Sequence, residues 1–130
     1  MIEIRLPWPP SVNHYWRNYR GRTVVSQDGR LYRQTVAYRI LEQGIPRENI
    51  RSRLAVSIDA YPPDKRRRDL DNITKALLDA IVAADVIEDD SQIDSLSILR
   101  HDAKGDGEVI VRISEYGPVQ NLRSRIQEPL

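Results

Sequence analysis

Between Lys65 and Asp90 the chain reads KRRRDLDNITKALLDAIVAADVIEDD, and no other stretch restricts the fold as strongly. Four basic side chains, Lys65, Arg66, Arg67 and Arg68, run directly into the carboxylates of Asp69 and Asp71. An amphipathic pattern follows, then a second acidic cluster, Glu88, Asp89 and Asp90. The apolar spacing predicts a helix over about 70–84, with Ile73, Leu77, Leu78, Ile81 and Val82 as its buried stripe. Like charges repel, so a fold that gathers Asp69, Asp71 and a later carboxylate at one point needs a cation there. Hard divalent ions such as Mg²⁺ take oxygen ligands and keep several waters, and a few carboxylates suit them. A basic run beside such a site points to a polyanion as the other ligand. Acid for metal and base for phosphate is the pattern of phosphodiester hydrolysis.

Two carboxylates two residues apart project to the same side of an extended backbone, which would aim Asp69 and Asp71 together. Lys75 and Asp79 continue the Asp71 face at i, i+4 steps, and Asp79 is placed to hold Lys75 by an ion pair. The same residues also suit a plainer arrangement. Asp69 would then cap the helix, Asp71 would complement its dipole, and the charged runs would be solvated surface.

A chain of 130 residues supports one domain with one modest core. It has no cysteine, which removes disulfides and thiolate metal sites and fits an intracellular, cytoplasmic location. No apolar run approaches the ~20 residues of a membrane span, and no signal-peptide pattern is present. The net charge of +1 hides a segregation along the chain: residues 1–68 hold 14 Lys and Arg against 6 Asp and Glu, whereas residues 69–130 hold 6 against 13. The resulting +8 and −7 fit a basic nucleic-acid surface beside an acidic centre, and equally fit two opposite faces that help subunits associate.

Along the chain, Ile2, Ile4 and Leu6 alternate with Glu3 and Arg5 as a half-buried strand, which Pro7, Pro9 and Pro10 stop. Ser11 to Arg22 reads as a loop in which Asn13, Tyr15, Arg17, Arg20 and Arg22 interleave aromatic and basic character, suited to stacking on bases and holding phosphates. The other reading of that loop packs Trp16 and Tyr19 into the core. A lone histidine such as His14 is more often incidental and is not assigned to the site. Thr23–Ser26 is a short strand, and Asp28-Gly29 a turn. A helix over 30–43 carries Leu31, Tyr32, Val36, Ile40 and Leu41 on one face and ends at Gly44. Arg53–Tyr61 is a strand closed by Pro62-Pro63 that aims the charged run. Ile93–Arg100 and Glu108–Glu115 are the last strands, the latter with Val109, Val111 and Ile113 inward, or Ile110 if the register slips. Residues 1–116 form the domain, and 117–130 a polar tail. The fold class is α+β: one mixed sheet with two packed helices.

RRRDLDN, then Lys75, Asp79-Ala80 and EDDSQI about one helix later, resembles the RusA family of Holliday-junction resolvases. LPWPPSVNHYW and GRTVVSQDGRLYR resemble the opening of that family, so the similarity runs from Ile4 to about Glu115. The resemblance implies the same fold, a homodimer, and a catalytic set falling on Asp69, Asp71, Asp90 and Lys75, the three aspartates as metal ligands. Asp89 would support Asp90. One departure is Asp85, where relatives often carry glycine at the helix end, so a left-handed conformation is expected of an aspartate there.

The expected activity is Mg²⁺-dependent endonuclease cleavage of branched DNA, resolving four-way junctions by paired nicks, with Mn²⁺ as the alternative ion. Lys65–Arg68 and the Arg17–Arg22 loop would grip the backbone. Symmetric cutting of two strands by one small domain itself calls for a two-fold dimer. The rivals are a flap- or fork-selective nuclease and a non-catalytic DNA-binding module. The compact single domain and the resemblance suggest a phage or prophage source.

Overall fold

The computed structural model describes residues 1–116, so the polar tail expected over 117–130 lies outside the described residues. In chain order the elements are β1 (Ile2–Pro7), a one-turn helix α1 (Val12–Tyr15), β2 (Trp16–Tyr19), β3 (Arg22–Val25), α2 (Gln27–Glu42), β4 (Leu54–Tyr61), α3 (Asp71–Ala83), a 3-10 turn (Asp90–Gln92), β5 (Ile93–Arg100) and β6 (Glu108–Glu115). The class is α+β with one mixed main sheet, as expected, but with three helices where the sequence suggested two.

The main sheet runs β1-β6-β4-β5. β6 is antiparallel to both β1 and β4, whereas β4 and β5 are parallel. A parallel pair cannot be joined by a tight turn, so the chain crosses over through α3. The helix therefore starts at the C-terminal end of β4 and delivers the chain back to the N-terminal end of β5. Alternation along the strands turns Ile4, Leu6, Val56, Ile58, Val109, Val111 and Ile113 inward, all nearly inaccessible to solvent. On α3 the buried stripe is Ile73, Leu77, Leu78 and Ile81, as expected, joined by the small Ala76 and Ala80, while Val82 is half-buried. Each large side chain so buried contributes roughly 1.5–3 kcal/mol. The opposite face of the sheet carries a polar ladder. Arg112 Nε meets Glu3 at 3.0 Å, and Arg112 and His101 both bind Asp59.

Several local expectations are corrected. The loop expected over 11–22 is α1 followed by β2, which pairs antiparallel with β3 as a hairpin. Asp28-Gly29 is not a turn but the first turn of α2. Ser26 caps that helix by accepting a hydrogen bond from Gly29 N at 3.0 Å. Gly29 is there for close approach: a Cβ would collide with the carbonyl oxygen of Tyr15 and lie 2.7 Å from Val25 Cγ1. α2 buries Tyr32, Val36 and Ile40, but Leu31 and Leu41 point to solvent, because α3, α1 and β1 cover a narrower arc of the helix than the apolar spacing suggests. Gly44 does end α2, at φ +68°, and Ile45 N reaches back to Ile40 O at 3.0 Å. Asp85 is left-handed at φ +65°, and Arg47 steadies that corner by donating to the Ala84 carbonyl at 3.0 Å.

Candidate active site and nucleic-acid surface

β4 ends in Pro62-Pro63, and the loop that follows is organised by an acid the sequence reading did not single out. Asp64 accepts from Arg68 Nη1 at 2.6 Å, from Arg66 Nε at 3.1 Å and from Arg66 N at 2.9 Å. The two guanidinium groups hold its carboxyl well below the usual carboxylate range, Arg68 contributing most. Arg68 also lies over the Trp8 ring at 5.9 Å, and its carbonyl accepts from Arg100. The basic run is thus divided: Arg66 and Arg68 shape the loop, whereas Lys65 and Arg67 make no ion pair among the described residues and face outward.

Two open clefts flank this loop. One, of about 610 Å³, is lined by Trp8, His14, Arg67, Asp69 and Asn72 among others. The second, of about 520 Å³, includes Lys65, Asp69, Arg100 and His101. Asp69 and the arginine run border both. Asn72 sat in the D-x-D-N motif, and His101 directly follows the strand parallel to β4, so both signals were present in the sequence. His14, which the sequence reading set aside, bonds to Ser11 Oγ at 2.8 Å on the wall of the first cleft. His101 Nε2 lies 2.8 Å from Asp59 and its ring stacks on Tyr61, with centroids 4.4 Å apart.

Asp69 and Asp71 are exposed, and among the described residues neither carboxylate is engaged by a hydrogen bond or ion pair. Leu70 between them is helical (φ −63°, ψ −35°), so the expected extended D-x-D is corrected: the motif is the bend that enters α3. Asp69 does not cap the helix with its side chain; its carbonyl accepts from Asn72 N at 3.2 Å. Lys75 stands one turn beyond Asp71, its ammonium 5.5 Å from the centre of the Trp16 ring.

Two assignments fail. Asp79 does not hold Lys75. It accepts from Arg33 at 2.6 and 3.1 Å and from the Tyr15 hydroxyl. Tyr15, expected to touch DNA, is wholly buried, wedged between α2 and α3 by that same network. Burial, and then Asp79, push its hydroxyl pKa far above the ordinary tyrosine value. Its neighbours do face solvent: Asn13 on α1 and Arg17, Arg20 and Arg22 on the hairpin are exposed, and Arg17 and Arg20 both lie 5.2 Å from the ring centre of Tyr19.

Asp90 opens the 3-10 turn. Asp89 accepts there from Ser91 N at 3.0 Å, while Gln92 accepts from Asp89 N at 2.8 Å and is itself tied to the Ile50 and Ser52 carbonyls. The turn is held at both ends, the Asp90 carbonyl accepting from Ile93 N, and the Asp90 side chain is exposed with its carboxylate unbonded among the described residues. It stands at the N-terminal end of β5, whereas Asp69 and Asp71 follow the C-terminal end of β4. The two strands are parallel and α3, of 13 residues, lies between, a length of about 20 Å. Asp69 and Asp71 are therefore neighbours, and Asp90 lies at the other end of the sheet. Among the described residues no three Asp, Glu or His side chains gather as a metal site. The Asp69–Asp71 pair offers free oxygen donors of the type Mg²⁺ takes, as two ligands of a set.

A small α+β domain with free carboxylates set in a basic, open groove is built to cut nucleic acid. The chain belongs to the endodeoxyribonuclease RusA family, whose pattern matches residues 7–114. It is 40% identical over 114 residues to the crossover junction endodeoxyribonuclease RusA of Escherichia coli (strain K12), spanning 88% of this chain and 94% of that one. The enzymes of that name from Enterobacteria phage 82 and Shigella sonnei (strain Ss046) are 39% and 38% identical over the same shares. Among the described residues no helix is long and apolar enough to cross a membrane.

Proposed function

We propose that this chain resolves four-way DNA junctions in the cytoplasm as a two-fold homodimer, making paired nicks that depend on Mg²⁺, for which Mn²⁺ can substitute. The observation that carries the reading is a pair of free, exposed carboxylates at the entry to α3: Asp69, which borders both arginine-walled clefts, and Asp71, two residues on. The relatives named above, crossover junction endodeoxyribonucleases, add the junction as substrate. The distance between Asp90 and that pair supports the dimer. One chain keeps the three acids apart, whereas a second copy, turned by 180°, can bring the partner's Asp90 to Asp69 and Asp71. Mg²⁺ held by these three would supply an activated water and offset the charge growing on the phosphate. Lys75, one turn along α3 and steadied by Trp16, places a cation beside the same phosphate. Lys65 and Arg67 hold the backbone at the cleft mouths, while Arg66 and Arg68 keep the loop in shape. The β2–β3 hairpin, with Arg17, Arg20 and Arg22 around Tyr19, and the exposed Asn13 of α1 before it, offer phosphate contacts and an aromatic face for an unstacked base at a branch point.

Cleavage of a labelled four-way junction, beside flap, fork and duplex controls, tests this. Symmetric nicks on the junction, lost in EDTA and lost in Asp71→Asn while junction binding persists, are expected. Preferential cutting of flaps would replace the substrate, and tight binding without cleavage in Mg²⁺ or Mn²⁺ would make the chain a binding module.

A further inference from the structure

Lys75 has a carboxylate on either side of it along its helix face and is paired with neither. Asp71 lies four residues before it and Asp79 four residues after it, the spacing at which helices form ion pairs. Asp79 is taken by Arg33 at 2.6 Å and by the Tyr15 hydroxyl. The Asp71 carboxylate is free, yet among the described residues no carboxylate lies within ion-pair distance of the Lys75 ammonium. That ammonium lies over Trp16 instead, 5.5 Å from the ring centre.

Trp16 is itself fixed by backbone and ring. Its N–H donates to the Val12 carbonyl at the end of α1, and it pairs with Val25 as the first residue of β2. The half-buried ring meets the wholly buried ring of Tyr15 edge-on, with centroids 4.3 Å apart. Lysine, by contrast, is a point charge on a flexible four-carbon stem, and Lys75 is exposed. A fixed ring beside a mobile cation restrains the cation.

We infer that Trp16 is the positioning residue of Lys75: its ring holds the ammonium in place for the scissile phosphate without neutralising it. The inference rests on the role given to Lys75 above. A ring attracts a cation through its quadrupole and carries no net charge. An ion pair with Asp71 would cancel the charge that the phosphate draws on, and would occupy one of the two carboxylates offered to the metal. An ion pair with Asp79 would draw the ammonium along α3, away from the bend that carries Asp69 and Asp71. With Arg33 on Asp79 and Trp16 under Lys75, the lysine stays charged and Asp71 stays free. Trp16 also opens the hairpin that bears Arg17, Arg20 and Arg22, so the lysine is set by the element proposed above to receive the DNA backbone.

Trp16→Leu keeps apolar bulk and removes the π face, whereas Trp16→Phe keeps a ring with a weaker hold on a cation. In single-turnover nicking of a four-way junction at saturating enzyme, Trp16→Leu should slow the reaction roughly three- to thirtyfold, with Trp16→Phe between it and wild type. Junction Kd, measured in EDTA on the same samples, should not change. Added to Lys75→Met, Trp16→Leu should slow nicking no further, the mark of two residues acting as one unit. Proton NMR reads the contact without cleavage: the Lys75 ε-methylene protons should be shifted upfield by the ring and return to ordinary lysine values in Trp16→Leu. An unshifted wild-type lysine, equal slowing by Trp16→Leu with and without Lys75, or a loss confined to Kd would each overturn the inference, the last making Trp16 a DNA contact. Failure of the underlying reading looks different. A Lys75→Met chain that nicks at the wild-type rate while the wild-type proton shift is present would remove the lysine from the reaction and leave the ring contact as structure alone.

Discussion

Replacing Asp79 by alanine should damage the fold and spare the chemistry of the groove. Asp79 projects from α3 toward α1 and α2, where one carboxylate oxygen accepts from two nitrogens of Arg33 and from the Tyr15 hydroxyl. Tyr15 is wholly buried, so truncation strands its hydroxyl donor where water does not reach, although the oxygen keeps the Arg33 Nε donor at 2.9 Å. A buried donor left without its acceptor costs roughly 1–3 kcal/mol. The Arg33 ion pair is 36% and 31% exposed at its two ends, so solvent screens it and its loss adds roughly 1 kcal/mol or less. The total is roughly 1–4 kcal/mol, which in a domain of this size lowers Tm by roughly 10 °C.

Thermal unfolding followed by circular dichroism, with single-turnover nicking at 25 °C, reads the two effects separately. Asp79→Asn keeps an acceptor for Tyr15 and should lose less than half as much. Tyr15→Phe removes the donor, and the double variant with Asp79→Ala should be less destabilised than the sum of the singles by about 1 kcal/mol, the mark of a direct bond. The opposite pattern, Tm within about 2 °C of wild type and nicking slowed tenfold or more, about 1.4 kcal/mol in the barrier, would refute this reasoning. It would restore Asp79 as the partner of Lys75.

Gly29→Ala tests the contact between α1 and α2. Helix propensity alone favours alanine by roughly 1 kcal/mol, but the new methyl meets the Tyr15 carbonyl, a backbone atom that cannot swing away. The net result in urea denaturation should be a loss of roughly 1–3 kcal/mol, and a gain would mean that the two helices are not so closely packed. Asp64→Ala releases Arg66 and Arg68 from the loop and removes a negative charge. Duplex affinity at low salt should rise and its salt slope steepen by about one to two, while junction nicking falls because the cleft wall is no longer held. A titration with an unchanged slope would show that the two guanidiniums already contact phosphate while bound to Asp64.

The strands and the long helices were legible because each rests on local chemistry: alternation in β1, β4, β5 and β6, prolines at strand ends, Gly44 after α2, a clean apolar stripe on α3. What the sequence could not show depends on distant partners. Tyr15 sits among exposed basic residues in the chain, and what buries it are Arg33 and Asp79, 18 and 64 positions away. Within the site, the contiguous run Lys65–Asp71 could be read directly. Its division into loop-shaping and free arginines followed from Asp64, two and four residues before Arg66 and Arg68, which was a local signal passed over.

Asp90 is a different case. Grouping it with Asp69 and Asp71 assumed that one chain could bring them together, and that depends on strand direction, which no motif encodes. Once β4 and β5 are parallel, α3, about 20 Å long, must carry the chain from one end of the sheet to the other, with Asp69 and Asp71 at its start and Asp90 beyond its end. The segregation of charge along the chain, +8 before Asp69 and −7 from it onward, left a DNA surface and subunit association as equal alternatives. The fold turns that segregation along the chain into one in space. Glu88, Asp89 and Asp90 stand at the start of β5, whereas Arg100 and the Lys65–Arg68 loop stand at the other end of the same strand. The parallel pairing of β4 and β5 is what holds the two charge blocks apart.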